Sequence, residues 1–265
     1  MRAQGFDISK WQREWKESQS QVGHDFGWIK ASEGLTTDPR FEQHYEPLLD
    51  VPVRGAFHYL TSDKPWEAQL DKFLNLLDGK SFHMAMMDFE GIGNDFNWQF
   101  GRNAQRFINH LVAEFEGRSL LYTNTKFYQE AYNMGHRWMD NFDLVYARYP
   151  YNGWDPSLEN IQDPEDWVPT LPVGRTVWNF WQFSADGNRQ GPKHGLTRQP
   201  WHIVPPAIDL QVFNGTREEL EVYVGIGQDE PDPTPEPPSD DCDELRAAAE
   251  GVIIAAGEME QVLNQ

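Results

Sequence analysis

Short apolar segments recur along the first 212 residues, and most of them end in a polar or charged residue. Segments of this kind, bounded by Gly, Pro or polar clusters, predict buried β-strands. The predicted strands span residues 3–8, 26–34, 53–60, 83–91, 119–123, 144–148, 176–183 and 203–212.

Helical periodicity separates the earlier strands. After Asp63 and Pro65, which suit a helix start, apolar residues fall on one face as far as Leu77. The sequence thus indicates five strand–helix units and then three strands with little helix between them, a pattern that favours an α/β fold with a closed eight-stranded barrel. The other predicted helices span residues 39–49, 100–115 and 125–135, with a short helix or turn around Trp11 and Trp15.

The segment from His83 to Gly91 contains two acids one residue apart. Side chains alternate along a strand, so Asp88 and Glu90 point to the same face, with Met84 and Met86 behind them. Acids at the carboxyl end of a barrel strand lie where barrel enzymes hold their catalytic groups. The alternative is that one acid caps the next helix and the other is solvated.

Four acids fall at comparable strand ends, and on one barrel rim they would share a pocket. Clustered carboxylates raise at least one pKa, and a carboxyl that keeps its proton acts as a general acid. Paired acids with nearby aromatics point to glycosidic-bond hydrolysis. The four acids are Asp7, Asp88, Glu90 and Asp209.

Further polar and aromatic residues near strand ends are candidates for sugar binding. For each aromatic, core packing is an equal alternative, and Lys30 with Glu33 also fits a structural ion pair. His58 is expected on the face opposite Phe57 and Tyr59, which favours a structural role. The aromatic candidates are Tyr59, Tyr122, Tyr149, Trp178 and Trp181.

Composition excludes several classes of protein. The formal net charge of −20 argues against nucleic-acid and anionic-membrane partners. No apolar run reaches membrane-spanning length, and no phosphate-binding loop or metal motif occurs, so we expect no membrane insertion, no metal and no cofactor. The folded-domain pattern begins at Gly5, without a signal peptide before it, which predicts synthesis in a cytoplasm.

The chain beyond the barrel has a different composition. Residues 226–241 are rich in Pro and acids, which predicts a disordered linker after a domain spanning residues 1–225. Residues 242–265 predict a short amphipathic helix, whose apolar positions between Leu245 and Leu263 have heptad spacing. It either joins two copies of the chain as a homo-oligomer, or docks on the barrel or frays.

Seven motifs in order resemble the family 25 glycoside hydrolases, the Chalaropsis-type lysozymes common among phage endolysins. The resemblance covers roughly residues 3–215. The motifs are Gly5-Phe6-Asp7-Ile8-Ser9, Ile29-Lys30-Ala31-Ser32-Glu33-Gly34, Gly55-Ala56-Phe57-His58-Tyr59, Asp88-Phe89-Glu90, Leu121-Tyr122-Thr123, Trp181-Gln182-Phe183-Ser184 and Ile208-Asp209-Leu210.

The resemblance implies a (β/α)5β3 TIM-like barrel that cleaves the β-1,4 bond between N-acetylmuramic acid and N-acetylglucosamine. It makes Glu90 the general acid, Asp88 its partner, and Asp7 and Asp209 further pocket acids. Phe57 and Tyr59 depart from the family pattern, which often has Tyr first and Phe second. The implied substrate-binding residues are Tyr59, Tyr122, Lys30, Glu33, Tyr149, Trp181 and Gln182.

The function expected from these features is that of a phage-type muramidase acting on peptidoglycan glycan strands. Such an enzyme would wait in the host cytoplasm before lysis. Two alternatives remain at this level: a non-catalytic glycan-binding virion module, and a barrel glycosidase for a chitin-like polymer.

Overall fold

The computed structural model describes residues 1–12, 14–91, 96–149, 168–185, 191–198 and 207–227. These residues all belong to one compact unit, which extends from Met1 to Glu230. No helix among them is both long and apolar enough to cross a membrane. Most of the predicted linker and all of the predicted terminal helix lie outside the described residues, so those domain boundaries stay predictions.

Eight strands form a closed barrel. In chain order, the described strands are β1 (Gln4–Ile8), β2 (Glu14–Ser20), β3 (Phe26–Glu33), β4 (Thr36–Thr37), β5 (Val53–Tyr59), β6 (Met84–Asp88), β7 (Arg118–Asn124), β8 (Asp143–Ala147), β9 (Phe180–Ser184), β10 (His194–Arg198) and β11 (Asp209–Phe213). The order around the barrel is β1, β11, β9, β8, β7, β6, β5 and β3, and parallel pairing of β3 with β1 closes the ring.

Helices connect four successive pairs of parallel barrel strands. They lie between β3 and β5, β5 and β6, β6 and β7, and β7 and β8, and a fifth helix follows the last strand. The prediction of a mixed α/β barrel is therefore confirmed. The sequence predicted five strand–helix units, whereas the described residues contain four helices that connect parallel barrel strands. The helices are α1 (Phe41–Leu48), α2 (Trp66–Leu77), α3 (Trp98–Glu114), α4 (Thr125–Asn133) and α5 (Arg217–Tyr223).

The first connection corrects one prediction. Trp11 lies in a turn, but Trp15 lies in strand β2, which pairs antiparallel with β10 as a separate two-stranded sheet. Trp15 is buried and packs its ring 4.4 Å from that of Phe6. The two-stranded sheet of β2 and β10 therefore packs on the barrel where the sequence predicted a short helix or turn.

Strand alternation divides the apolar residues into two cores, as predicted for β6. Met84 and Met86 pack inside the barrel with Trp28 and Phe180. Ala85, Met87 and Phe89 face outward and pack with residues of the surrounding helices. Strand β6 pairs in parallel with β5 and β7 over all five of its residues, and this register sets the direction of the acid at its end.

Candidate active site

One rim of the barrel holds an open cavity of about 290 Å³ lined by all four predicted acids. Asp7 lies near the carboxyl end of β1, Asp88 is the last residue of β6, and Glu90 follows two residues later. Asp209 lies at this rim at the start of its strand, because β11 runs antiparallel to both of its neighbours. It is the first residue of that strand and pairs with Asp7, so the prediction that it ends a strand is wrong although its position on the rim is as expected.

Glu90 lies on the loop after β6 and is half-buried. Burial raises the pKa of its carboxyl, while a hydrogen bond from Asn124 and the charge of Lys30 lower that pKa. The Asn124 amide nitrogen donates to Glu90 Oε2 over 3.0 Å, and its oxygen caps helix α4 by accepting from the Phe127 N–H. Because the Asn124 side chain also caps the helix, its amide is held in the position from which it orients Glu90.

Asp88 is only 6% exposed, and its Oδ1 has no hydrogen-bond partner among the described residues. Burial, and then the negative charge of Glu90, raise its pKa well above the ordinary value, and Lys30 lowers it. A carboxyl that is buried and lies beside a second acid keeps its proton to higher pH than an isolated acid.

Asp7 belongs to a buried hydrogen-bond network centred on Gln182. The Gln182 amide nitrogen donates to Asp7 Oδ2 over 2.7 Å, and its oxygen accepts from the hydroxyls of Tyr122 and Tyr149 over 3.0 and 2.9 Å. Burial raises the pKa of Asp7, whereas hydrogen bonds with Gln182, Gln211 and Asp209 lower it. The network holds the Asp7 carboxylate in one orientation beneath the cavity.

A cationic group lines the same cavity as the acids. Lys30 donates to Glu33 over 2.7 Å, and its ammonium lies 4.8 Å from the centre of the Tyr59 ring. This hydrogen bond from Lys30 lowers the pKa of Glu33. The predicted ion pair between Lys30 and Glu33 is therefore present. Both residues and Tyr59 line the cavity, where a bound ligand can reach them.

The structure corrects the placement of Trp181. Its side chain is 1% exposed in the outer core, and its indole N–H donates to the Arg148 carbonyl over 2.7 Å. Trp178 lies in the same core. Since neighbours on a strand point to opposite faces, Gln182 turns inward and Trp181 cannot do so.

His58 has the structural role that the sequence favoured. It is buried between α2 and α3, with Ser32 at 2.8 Å from Nδ1 and Gln69 at 3.2 Å from Nε2. Its ring stacks on Phe107 with centroids 5.1 Å apart, and burial lowers its pKa to about 3.

Several site residues were not among those predicted from the sequence. Asn124 orients Glu90, Gln211 donates to Asp7, and Trp11 lines the cavity. A signal existed for Asn124, whose side chain directly after a strand suits a helix N-cap. Nothing in the pattern distinguishes Gln211 from an ordinary strand residue.

Comparison with known proteins identifies the family. A model described as glycosyl hydrolases family 25 matches residues 6–192. Lysozyme M1 from Streptomyces globisporus is 26% identical over 234 residues, which make up 82% of this chain and 69% of that protein.

Solved structures share the fold. A bacterial lysozyme from Streptomyces coelicolor matches with a TM-score of 0.60 and 21% identity, over 84% of this chain and 97% of its own. The catalytic domain of endolysin ply40 from bacteriophage P40 of Listeria monocytogenes gives the same TM-score and identity, over 85% and 98%. Together with the family match across most of its length, these findings show that the chain belongs to glycosyl hydrolase family 25 and is a glycoside hydrolase.

Proposed function

We propose that the enzyme is a muramidase that hydrolyses the β-1,4 bond between N-acetylmuramic acid and N-acetylglucosamine in peptidoglycan. One observation carries the proposal: Asp88 and Glu90 share an open cavity in which burial raises the pKa of both. Paired carboxyls whose environments shift their pKa values are the functional groups that glycosidic cleavage requires. The similarity to lysozyme M1 supports this choice of substrate.

In the proposed mechanism Glu90 donates its proton to the glycosidic oxygen as the carbon–oxygen bond breaks. Positive charge then develops on the sugar ring, and the ionised form of Asp88 becomes more stable beside it. Asp88 either attacks the ring carbon or orients the acetamido group of the substrate, which attacks in its place. Water then adds its hydroxyl to the ring carbon and gives its proton to the Glu90 carboxylate, which Asn124 steadies, so that Glu90 returns to its acid form.

The remaining groups bind and position the glycan. Asp7 and Asp209 present acceptors for sugar hydroxyls, while Tyr59, Lys30 and Glu33 line the same cavity. Tyr122 and Tyr149 act through Gln182, to which both donate. The net charge of −20 opposes attraction to a polyanionic wall, so affinity rests on hydrogen bonds and ring contacts.

The biological setting is part of the same proposal. The fold is shared with a phage endolysin domain, which supports a role in lysing a host wall from a protein stored in the cytoplasm. The segment between Leu245 and Leu263 is proposed to join copies of the chain. Sedimentation of the full chain as a monomer at micromolar concentration would exclude that association.

Digestion of purified peptidoglycan followed by mass analysis tests the substrate. The proposal predicts soluble fragments whose new reducing ends are on N-acetylmuramic acid. Reducing ends on N-acetylglucosamine, or release of soluble fragments from chitin alone, would contradict it. Binding to the wall without any cleavage would indicate a non-catalytic glycan-binding module.

A further inference from the structure

Trp11 is a large aromatic side chain that remains 62% exposed while it lines the active-site cavity. A single exposed aromatic on a surface is ordinary, but its position at the mouth of a catalytic cavity gives it access to a bound ligand. No step of the proposed mechanism uses Trp11.

The turn that presents Trp11 is held on both sides. Gln12 is buried, and its side chain accepts from the Ser9 N–H over 2.9 Å and donates to the Ala207 carbonyl over 3.2 Å. The Lys10 N–H donates to Asp38 Oδ2 over 3.0 Å. A side chain on a turn fixed in this way loses little backbone freedom when a ligand binds.

A second cavity, of about 210 Å³, adjoins the first. Lys10, Lys30 and Glu33 line both cavities, so they form the boundary between them. The Lys10 ammonium lies 5.3 Å from the centre of the Trp11 ring and 3.9 Å from Glu33. Trp11 thus lies in the catalytic cavity beside Lys10, and Lys10 also lines the second cavity.

We propose that Trp11 is a stacking platform for a sugar ring next to the pair whose bond is cleaved, with Lys10 beside that ring. The inference rests on the proposed function, since it takes the ligand to be a glycan strand of acetamido sugars. The flat indole matches the apolar C–H face of a pyranose, and the ammonium supplies a donor for oxygens at the edge of the ring. Because this ring lies away from the broken bond, its binding affects substrate affinity more than the chemical step.

Steady-state kinetics on solubilised, uncrosslinked peptidoglycan strands test the platform. Trp11→Ala is expected to raise KM roughly tenfold with kcat within about twofold of wild type, and Trp11→Tyr to recover most of the loss because it keeps a flat ring. Trp98→Ala is the matched control. Trp98 is 55% exposed and has Arg102 5.5 Å from its ring centre, but it does not line the cavity, so KM should not change.

Two outcomes would overturn the inference while leaving the proposed function intact. One is an unchanged KM for Trp11→Ala in an enzyme that cleaves peptidoglycan. The other is an equal rise in KM for Trp98→Ala, which would indicate a nonspecific effect.

A binding assay separates the inference from the cleavage chemistry. Glu90→Gln protein, with and without Trp11→Ala, is sedimented with insoluble peptidoglycan freed of wall polymers. Weaker binding on loss of Trp11 supports the platform even where the wild type cleaves nothing. Equal binding by the two proteins refutes it.

Discussion

Replacing Asp88 with Asn is expected to stabilise the barrel while removing most of its activity. The carboxyl is 6% exposed, and its Oδ1 lacks a partner among the described residues. Burial and the charges of Glu90, Asp7 and Glu33 all disfavour its ionised form. Asn has nearly the same shape and carries no charge, so it relieves this cost.

The size of the gain follows from the burial of an uncompensated charge. Leaving a buried polar group unsatisfied costs about 1–3 kcal/mol, and more when the group is charged. Because the folded-state pKa of Asp88 is raised, the stability linked to its protonation is fully present below the unfolded value of 3.8 and is lost as pH rises through the folded value. The gain from Asn therefore grows from pH 4 to pH 8.

Thermal or urea unfolding at pH 4 and pH 8 measures this difference. At pH 8 we expect Tm to rise by roughly 2–4 °C for each kcal/mol gained, with little change at pH 4. Asp63→Asn is the control, because Asp63 is exposed and pairs with Lys64 over 2.8 Å, so no gain is expected. A variant no more stable than wild type at pH 8, or a gain equal at both pH values, would refute the reasoning.

Two further substitutions test the groups that position the acids. Asn124→Ser keeps a cap for α4 but removes the donor to Glu90, so the pKa of Glu90 should rise and the alkaline limb of the pH–rate profile should move to higher pH; an unmoved limb would contradict this. Gln182→Leu leaves the buried Tyr122 hydroxyl and Asp7 short of partners, at a cost of about 2–4 kcal/mol in urea unfolding. Adding Tyr122→Phe should recover part of that loss, and full additivity of the two changes would count against the network.

The sequence predicted strand β6 and the face of each of its residues, although the strand ends at Asp88 and Glu90 lies on the loop after it. Met86 points into the barrel and Met87 out of it, because alternation along a strand needs only local information. The same rule shows why Trp181 was misplaced. Phe180 and Trp181 make both faces of β9 aromatic, so the pattern does not fix which face turns inward.

The pattern of apolar and polar residues does not predict features that depend on distant parts of the chain. Asp209 reaches the rim at the start of an antiparallel strand, and strand direction depends on a connection that short-range periodicity does not encode. The bond from Gln182 to Asp7 spans 175 positions and exists only once the barrel closes. Strand β2 was missed because its exposed residues show no helix or strand period strong enough to decide.

Glu90 is proposed to donate the proton that breaks the glycosidic bond. The most direct test of this step is the rate at which wild type, Glu90→Gln and the exposed control Glu67→Gln release reducing ends from peptidoglycan, with unfolding curves to show that each is folded. We predict a loss of about 100- to 10,000-fold for Glu90→Gln alone. A folded Glu90→Gln enzyme that cleaves at the wild-type rate would contradict the mechanism.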